Sequence, residues 1–297
     1  MLFAFKVLLL SFKIHEKMKL YPIETGNFKL DGGAMFGVVP KVLWSKAYPC
    51  DENNLCNWSM RCLLVVDGDR RILIDNGIGS KQDEKWLRHY YLNGEATLES
   101  SLEKAGYTPD DITDVILTHM HFDHCGGSVK WNEDKTGYEL AFPNAIYWTS
   151  KKQFDWATNP NRREKASFLK ENILPIQESG QLNLIEEEGT YIPNIDFKLY
   201  DGHTGGQVIP HVKYNGKTVV FMADLMPSSA HIPMPWIMAY DTRPLQTLKD
   251  RERFYAEAVE NDYILFFEHD IYHEAGTLHE TEKGVRIKDV GKLADFI

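Results

Sequence analysis

Four side chains that can bind metal ions stand within six residues of one another near the middle of the chain. They are His119, His121, Asp123 and His124, in the run Thr-His-Met-His-Phe-Asp-His-Cys-Gly-Gly at residues 118–127. Neutral imidazoles together with a carboxylate are the donors that zinc and similar divalent ions prefer. A solvated loop rich in histidine is the alternative interpretation, but such a cluster directly after an apolar run favours a metal site.

A short apolar strand is predicted just before this cluster, at residues 114–118. If the strand geometry continues, its alternation places His119 and His121 on the same side. If the chain then turns into a helix at Asp123, the side chains of Asp123 and His124 would point to a position next to the one that His119 and His121 face. The two glycines that follow are expected to let the backbone pass close to the ions.

Three further potential ligands each follow an apolar, strand-like run later in the chain. The runs cover residues 196–200, 218–223 and 263–267, and the polar residues that follow them are His203, Asp224 and His269. Taken singly, such a histidine is more often a turn residue and such an aspartate a helix N-cap. Because all three arrive at strand ends, they are predicted to complete a metal site together with the central cluster.

The remaining elements predict how these ligands are positioned. Strands are expected at residues 61–66 and 71–75, as a hairpin around residues 67–69, and at residues 145–149. Helices are expected at residues 81–91, 97–104, 150–157, 162–172 and 246–260. Strands that come first and then alternate with helices predict two sheets packed on each other and covered outside by helices.

The seven residues, in this order and context, resemble the ligand set of the metallo-β-lactamase-fold hydrolase superfamily, and the resemblance extends over nearly everything from Met18 onward. It implies an α+β fold, a four-layer αββα sandwich with the metals held in loops at one edge of the two sheets. It also implies an assignment of ligands: His119, His121 and His203 hold one metal, Asp123, His124 and His269 hold the second, and Asp224 bridges them.

The same resemblance gives a role to Asp75, in the run Leu-Ile-Asp-Asn-Gly at residues 73–77. It matches the family's buried aspartate, which orients the ligand loop from outside the metal shell. The alternative is an ordinary turn acid before Gly77.

The implied cofactor is a pair of divalent metal ions, most simply Zn²⁺, although Mn²⁺, Fe²⁺ or Co²⁺ can use the same nitrogen and oxygen donors. Two such ions lower the pKa of a shared water and supply hydroxide near neutral pH, which attacks a carbonyl or phosphoryl centre. Asp123 is expected to take the proton and pass it to the leaving group, and Asp224 to hold both ions. These two aspartates are therefore the candidate catalytic residues.

Sequence differences within the superfamily narrow the range of candidate substrates. Asp224 stands where β-lactamases of this fold often carry cysteine, and His121 where oxygen-reducing di-iron relatives carry a carboxylate. The chain is more similar to quorum-quenching lactonases and to the methyl-parathion-hydrolase type. The predicted activity is hydrolysis of a lactone or ester, as in N-acyl homoserine lactonases. Phosphotriester hydrolysis, a glyoxalase-II-like thioesterase and a non-catalytic binding protein of the same fold are the alternatives.

Candidates for the substrate pocket are aromatic residues and one histidine, namely Phe36, Trp44, His231, Tyr240 and Tyr272. The aromatic-rich segment at residues 35–58 is expected to form either a hydrophobic lip over the metals or a homodimer contact. The tyrosine that lactonases carry three residues after the bridging aspartate is Pro227 here. If a phenol assists ring opening, Tyr240 or Tyr272 would have to supply it.

Composition limits the partners and the compartment. The 297 residues include 33 Lys+Arg and 43 Asp+Glu, which gives a net charge of −10 and no basic tract. Nucleic acid is therefore an unexpected partner, and no apolar run is long enough to span a membrane. A small-molecule ester or lactone is the expected partner.

The four cysteines, at positions 50, 56, 62 and 125, are too few for a disulfide framework, which predicts a reducing, cytoplasmic location. The first three, at six-residue spacing, could instead be thiolate zinc ligands, but structural zinc sites usually have tighter spacing. Residues 1–17 are expected to lie outside the fold, with a single domain over residues 18–297. A short secretory signal is the alternative interpretation of that apolar start.

Overall fold

The computed structural model describes residues 17–297, so residues 1–16 of the predicted N-terminal extension lie outside the described part of the chain. Its strands are β1 (Lys19–Asp31), β2 (Leu55–Asp67), β3 (Arg70–Ile74), β4 (Asp114–Ile116), β5 (Val129–Trp131), β6 (Tyr138–Leu140), β7 (Ile146–Ser150), β8 (Leu182–Ile185), β9 (Gly189–Ile192), β10 (Ile195–Tyr200), β11 (Gln207–Tyr214), β12 (Lys217–Phe221), β13 (Ile264–Phe266), β14 (Ala275–Thr281) and β15 (Gly284–Gly291). Its α-helices are α1 (Gly32–Phe36), α2 (Lys41–Ala47), α3 (Glu84–Leu87), α4 (Leu98–Ala105), α5 (Phe122–Cys125), α6 (Lys151–Thr158), α7 (Lys170–Glu178) and α8 (Pro244–Glu260).

Two mixed sheets make up the centre of the molecule. The first has the strand order β1-β2-β3-β4-β7-β8 and the second the order β15-β14-β13-β12-β11-β10-β9, with β5 and β6 forming a small separate pair. Strands β3, β4, β7 and β8 run parallel to one another, and so do β12 and β13, while the other neighbouring pairs in the two sheets are antiparallel. The predicted α+β fold of two stacked sheets with helices outside is confirmed.

Strand β2 shows why the first sheet lies between two apolar layers. Leu63 and Val65 belong to the core cluster between the sheets, whereas Leu64 and Val66 belong to the cluster on the opposite face, under α4 and α7. Successive side chains of a strand point to opposite faces, so a strand buried on both faces needs a continuous apolar run. The second sheet is covered by α8, which buries Phe254 against the core.

The ends of these strands meet at one edge of the sandwich. The predicted hairpin is present as β2 and β3. Strands β3 and β4 are parallel neighbours and end together at the paired residues Ile74 and Ile116. Strands β12 and β13 are also parallel and end together at Phe221 and Phe266. Because parallel strands present their carboxyl ends at the same edge, the residues that follow all four strands come close together.

Two predicted helices differ from the structure. The helix expected at residues 81–91 is only α3 followed by a 3₁₀ turn at Arg88–Tyr90, and it ends at Tyr91 with φ 47°. The helix expected at residues 162–172 begins only at Lys170. The Asn161 side chain accepts hydrogen bonds from the backbone N–H groups of Arg163 and Glu164, at 2.8 and 3.1 Å, and forms a turn instead.

The cysteines are free thiols, and three of the four are buried. Among residues 17–297, the groups of side chains arranged to hold a metal contain no cysteine, so the thiolate-zinc interpretation has no support. Within the same range no helix is both long and apolar enough to cross a bilayer.

Candidate metal centre

All seven residues proposed as ligands lie together at the edge where the strands end. They form two groups, His119, His121, His203 and Asp224 in the first and Asp123, His124 and His269 in the second. Within each group, the atoms that can bind a metal lie within 4.8 Å of one another. Both groups combine residues from the loop after β4 with residues that follow strands of the second sheet.

In the first group three ring nitrogens converge. Nε2 of His119 lies 3.0 Å and Nε2 of His203 lies 3.2 Å from Nδ1 of His121. An Asp224 oxygen, Oδ2, is 3.1 Å from the same nitrogen of His203. Three imidazole nitrogens and a carboxylate oxygen around one point suit a divalent cation, since neutral imidazoles would otherwise turn lone pairs towards one another.

The second group has the same character. Nε2 of His269 lies 3.2 Å from Nε2 of His124, and Oδ2 of Asp123 lies 3.7 and 3.9 Å from these two nitrogens. The short helix α5 carries Asp123 and His124 at consecutive positions. The loop after β4 thus supplies His119 and His121 to the first group and then, in α5, two ligands to the second.

Asp224 connects the two groups through its two oxygens. Oδ2 faces His203, while Oδ1 lies 3.2 Å from Nε2 of His269. The preceding residue, Ala223, has φ 40°, an uncommon conformation for a residue with a side chain, and it turns the chain so that Asp224 faces the site. Burial by itself would raise the pKa of Asp224, but His203 and the other neighbouring histidines lower it well below its usual range.

The ring nitrogen of each histidine that faces away from the groups has a polar partner. Nδ1 of His203 is 3.0 Å from Asp241, Nδ1 of His269 is 2.7 Å from the carbonyl oxygen of Ser59, and Nδ1 of His119 is 3.1 Å from the Thr118 hydroxyl. Nε2 of His121 is 3.4 Å from Glu164. A polar partner on the outward nitrogen favours a proton there, and the inward nitrogen is then available to a metal.

Asp75 lies fully buried beneath the ligand loop. Its Oδ2 is 3.1 Å from Nδ1 of His124, and its carboxylate also accepts hydrogen bonds from the backbone N–H and the hydroxyl of Thr118, at 2.8 and 2.6 Å. It therefore holds the end of β4 and one histidine of the second group at the same time. Oε2 of Glu268 lies 3.0 Å from the same nitrogen of His124, and burial raises the pKa of Glu268 above its usual range.

The pKa shifts of two histidines are consistent with a cation site. Burial lowers the pKa of His119 well below its usual range, which keeps that ring in the neutral form that binds metals. Burial also lowers the pKa of His203, but Asp224 and Asp241 outweigh this and raise it to about 10. The same carboxylates that hold a proton there would attract a metal ion in its place.

A cavity of about 490 Å³ opens over the two groups. Its wall includes apolar and aromatic side chains, with a few polar ones: Leu30, Met35, Tyr90, Phe122, Met238, Tyr240, Arg163, Glu164 and Ser167. Of the ligands, Asp123, His121, His203, Asp224 and His269 face it. Tyr240 lines it as expected, while Tyr90 and Glu164 were not anticipated from the sequence.

The other four residues proposed for the pocket do not line this cavity. Phe36, Trp44 and His231 are at most 1% exposed, because they pack on one another in a third core cluster, with Phe36 stacked on His231 at 4.5 Å between ring centres. Tyr272 is 55% exposed and packs on Tyr48 away from the cavity. Phe36 and Trp44 thus fill the interior beside the site and form no lip over it, although Met35 of the same segment lines the cavity.

Three carboxylates that contact the outward nitrogens of histidines were not predicted from the sequence: Glu268, Glu164 and Asp241. Glu268 offered a signal, since it directly precedes His269 at a strand end. Glu164 and Asp241 offered none, because each lies in an irregular segment far along the chain from the histidine that it contacts.

Comparison with known proteins agrees with this geometry. The model of the Metallo-beta-lactamase superfamily matches residues 61–269. The structure of a probable metal-dependent hydrolase from Staphylococcus aureus is 33% identical, covers 93% of this chain and 96% of its own, and superposes with a TM-score of 0.84. That of AidC, a dizinc quorum-quenching lactonase in complex with a homoserine product, is 22% identical, covers 91% and 94% of the two chains, and has a TM-score of 0.76. An N-acyl homoserine lactonase from Bacillus cereus is 23% identical over 87% of this chain and 95% of its own length.

Proposed function

Since this chain belongs to the metallo-beta-lactamase superfamily, we propose that it is a dinuclear metal-dependent hydrolase that opens lactones or cleaves carboxylic esters. The observation that carries the proposal is the pair of ligand groups that meet at Asp224. Its Oδ2 lies 3.1 Å from His203 of the first group and 3.5 Å from His124 of the second, and its Oδ1 lies 3.2 Å from His269 of the second. His119, His121 and His203 would hold one ion, and Asp123, His124 and His269 the other. A pair of divalent ions held there would lower the pKa of a bound water and polarise the carbonyl oxygen of the substrate.

Asp123 is suited to move the proton in this reaction. It lies on the cavity wall, and its Oδ2 is 3.7 Å from Nε2 of His124. A carboxylate in that position can accept a proton from the attacking water and deliver it to the leaving oxygen. Asp224 is assigned to holding both ions at a constant separation.

The cavity supports a substrate with an acyl chain. Its wall beside the ligands is formed largely by Leu30, Met35, Phe122 and Met238, and a volume of about 490 Å³ is in the range of small-molecule sites. Two relatives support this substrate class, the lactonase AidC and the N-acyl homoserine lactonase from Bacillus cereus, which are 22% and 23% identical to this chain.

Turnover of matched substrates tests the proposal. We expect the Zn²⁺-loaded protein to hydrolyse N-hexanoyl homoserine lactone or a p-nitrophenyl ester faster than paraoxon or a thioester. Asp224→Ala should bind fewer than two metal ions per chain and lose activity together with them. The exposed Asp155→Asn on α6 serves as the control, since within residues 17–297 the ion-pair partner of Asp155 is Lys151 on the same helix.

Each contrary result has a clear meaning. Fastest turnover of paraoxon or of the thioester would replace the lactone assignment with that activity. A metal-loaded protein that hydrolyses none of the four would contradict the enzymatic function. Two metals retained in Asp224→Ala would refute the bridging role.

A further inference from the structure

Glu164 is a buried carboxylate whose position the ligand set does not explain. It is 3% exposed, on the cavity wall, in the irregular segment between α6 and α7. Its Oε1 and Nε2 of His121 are 3.4 Å apart, and neither of these buried atoms has a closer hydrogen-bond partner among the described residues. Leaving either atom without a partner would be costly, so each is the natural partner of the other.

The second oxygen of Glu164 is already engaged. Oε2 accepts hydrogen bonds from the indole N–H of Trp156 at 2.6 Å and from the side-chain amide of Asn161 at 2.5 Å. Trp156 can only donate, so this oxygen must stay an acceptor. With Oε2 fixed in this way, the carboxylate is held with Oε1 facing His121.

His121 differs from the other four histidines in the nitrogen that it turns inward. It presents Nδ1, whereas His119, His203, His124 and His269 present Nε2. Its Nε2 therefore points outward, to the cavity wall. An anionic acceptor there keeps the proton on Nε2 and orients the ring, as outer carboxylates do for metal-binding histidines.

The segment that carries Glu164 makes two more contacts with the ligand loop. The ring of Phe168 packs on the ring of His121 with centres 4.7 Å apart, and the carbonyl oxygen of Ser167 accepts a hydrogen bond from the backbone N–H of Phe122 at 3.0 Å. Residues 161–168 thus make three contacts with the ligand loop, two with the ring of His121 and one with the backbone of Phe122.

A second part of the cavity wall has a similar arrangement. Asp241 follows the lining residues Met238 to Tyr240 and contacts the outward nitrogen of His203, another ligand of the first group. The two walls are joined directly, since Arg163 donates a hydrogen bond to the carbonyl oxygen of Ala239. By contrast, the outer partners of the second group, Asp75 and Glu268, lie in the buried interior.

We infer that Glu164 is a positioning residue that holds His121 for the first metal, so that the cavity wall and the first metal position form one structural unit. This inference rests on the proposed dinuclear function. Substitution of Glu164 is therefore expected to lower the metal affinity of one position and to leave the affinity of the other unchanged.

The test is a Zn²⁺ titration of the metal-free full chain in competition with a chromophoric chelator. The variant is Glu164→Gln, which keeps the size of the side chain but replaces one acceptor oxygen by a donor amide. Whichever way the amide turns, its NH₂ faces either His121 or the donors Trp156 and Asn161. We expect one of the two equivalents to bind about 10- to 100-fold more weakly and the other to keep its wild-type affinity.

Further variants distinguish a positioning role of Glu164 from a purely structural one. Asp155→Asn should bind both equivalents as the wild type does. Trp156→Phe, which removes one of the donors that fix Glu164, should weaken the same equivalent to a smaller extent. In a His121→Ala background, Glu164→Gln should cause no further weakening, because the ring that it orients is gone.

The inference is overturned if Glu164→Gln binds both equivalents with wild-type affinity while only its thermal stability falls, since that is a structural role. Equal weakening of both equivalents, or a full additional loss in the His121→Ala background, overturns it as well. If the wild type itself binds fewer than two equivalents, the dinuclear function fails first, and the two failures are distinguished by that measurement.

Discussion

At the scale of single residues, Tyr240 has a position suited to assist the reaction. Of the two tyrosines proposed from the sequence, it lines the cavity, whereas Tyr272 lies outside it. Burial, with a contribution from Asp123, raises the pKa of Tyr240 to about 12. The phenol therefore keeps its proton at neutral pH and can donate a hydrogen bond to an oxygen on which negative charge develops.

Tyr240→Phe is expected to lower kcat for a lactone about 100-fold, the typical effect of removing one such donor, with metal content unchanged. Initial rates in a pH-stat and metal analysis measure both quantities. Tyr272→Phe is the matched control, and it should have wild-type kinetics. An unchanged kcat in Tyr240→Phe, or equal losses in both variants, would show that Tyr240 is not the donor.

At the scale of elements, the metal loop depends on a close crossing of two chain segments. A Cβ atom at Gly126 would lie 2.1 Å from the carbonyl oxygen of Ile78, and one at Gly127 would lie 2.2 Å from the carbonyl oxygen of Asn76. The glycines after the ligands were expected to let the backbone approach the ions. Their structural reason is different, since they let the end of α5 pack against residues 76–78, next to Asp75.

Gly127→Ala should destabilise this crossing, because backbone atoms cannot move aside as a flexible side chain does. Overpacking of this kind typically costs about 1–3 kcal/mol, and we expect that loss in the free energy of unfolding of the metal-free protein, measured with urea. Gly137→Ala is the control, since a Cβ there would have only an ordinary contact at 3.5 Å. Equal stability of the two variants would mean that the crossing can relax.

At the scale of the whole molecule, the site joins the two sheets. The loop after β4 in the first sheet supplies four of the residues, and the other three follow β10, β12 and β13 of the second sheet. Arg61 of β2 adds a direct link, because its guanidinium donates to the carbonyl oxygens of Phe267 and Asp270 at 3.0 and 2.8 Å. Bound metal would therefore stabilise the packing of one sheet on the other.

Removal of metal by a chelator should lower the melting temperature. With free Zn²⁺ at 100 times its Kd, one bound ion contributes about 2.7 kcal/mol, which corresponds to roughly 5 °C for a chain of this size. Calorimetry with and without chelator measures the change, and Asp224→Ala should show a smaller one. A melting temperature that does not respond to chelator in the wild type would argue against metal bound between the sheets.

The amino-acid sequence by itself determined the donor atoms and the strands that deliver them. His119, Asp224 and His269 each follow an apolar run. The alternation of side chains along one strand depends only on local backbone geometry, so a few consecutive residues are enough to identify it. The hairpin of β2 and β3 was predictable for the same reason.

Only the tertiary structure decided what surrounds those donors. Glu164 and Asp241 reach their histidines through contacts between residues 43 and 38 positions apart, and nothing local in either segment indicates them. Phe36 and Trp44 were predicted to line the substrate pocket, in a segment that would form a lip over the metals or a dimer contact. An apolar side chain is, however, equally stable in any interior space of the right shape. Whether it lines the cavity or fills the core depends on how distant elements pack, and local sequence does not contain that information.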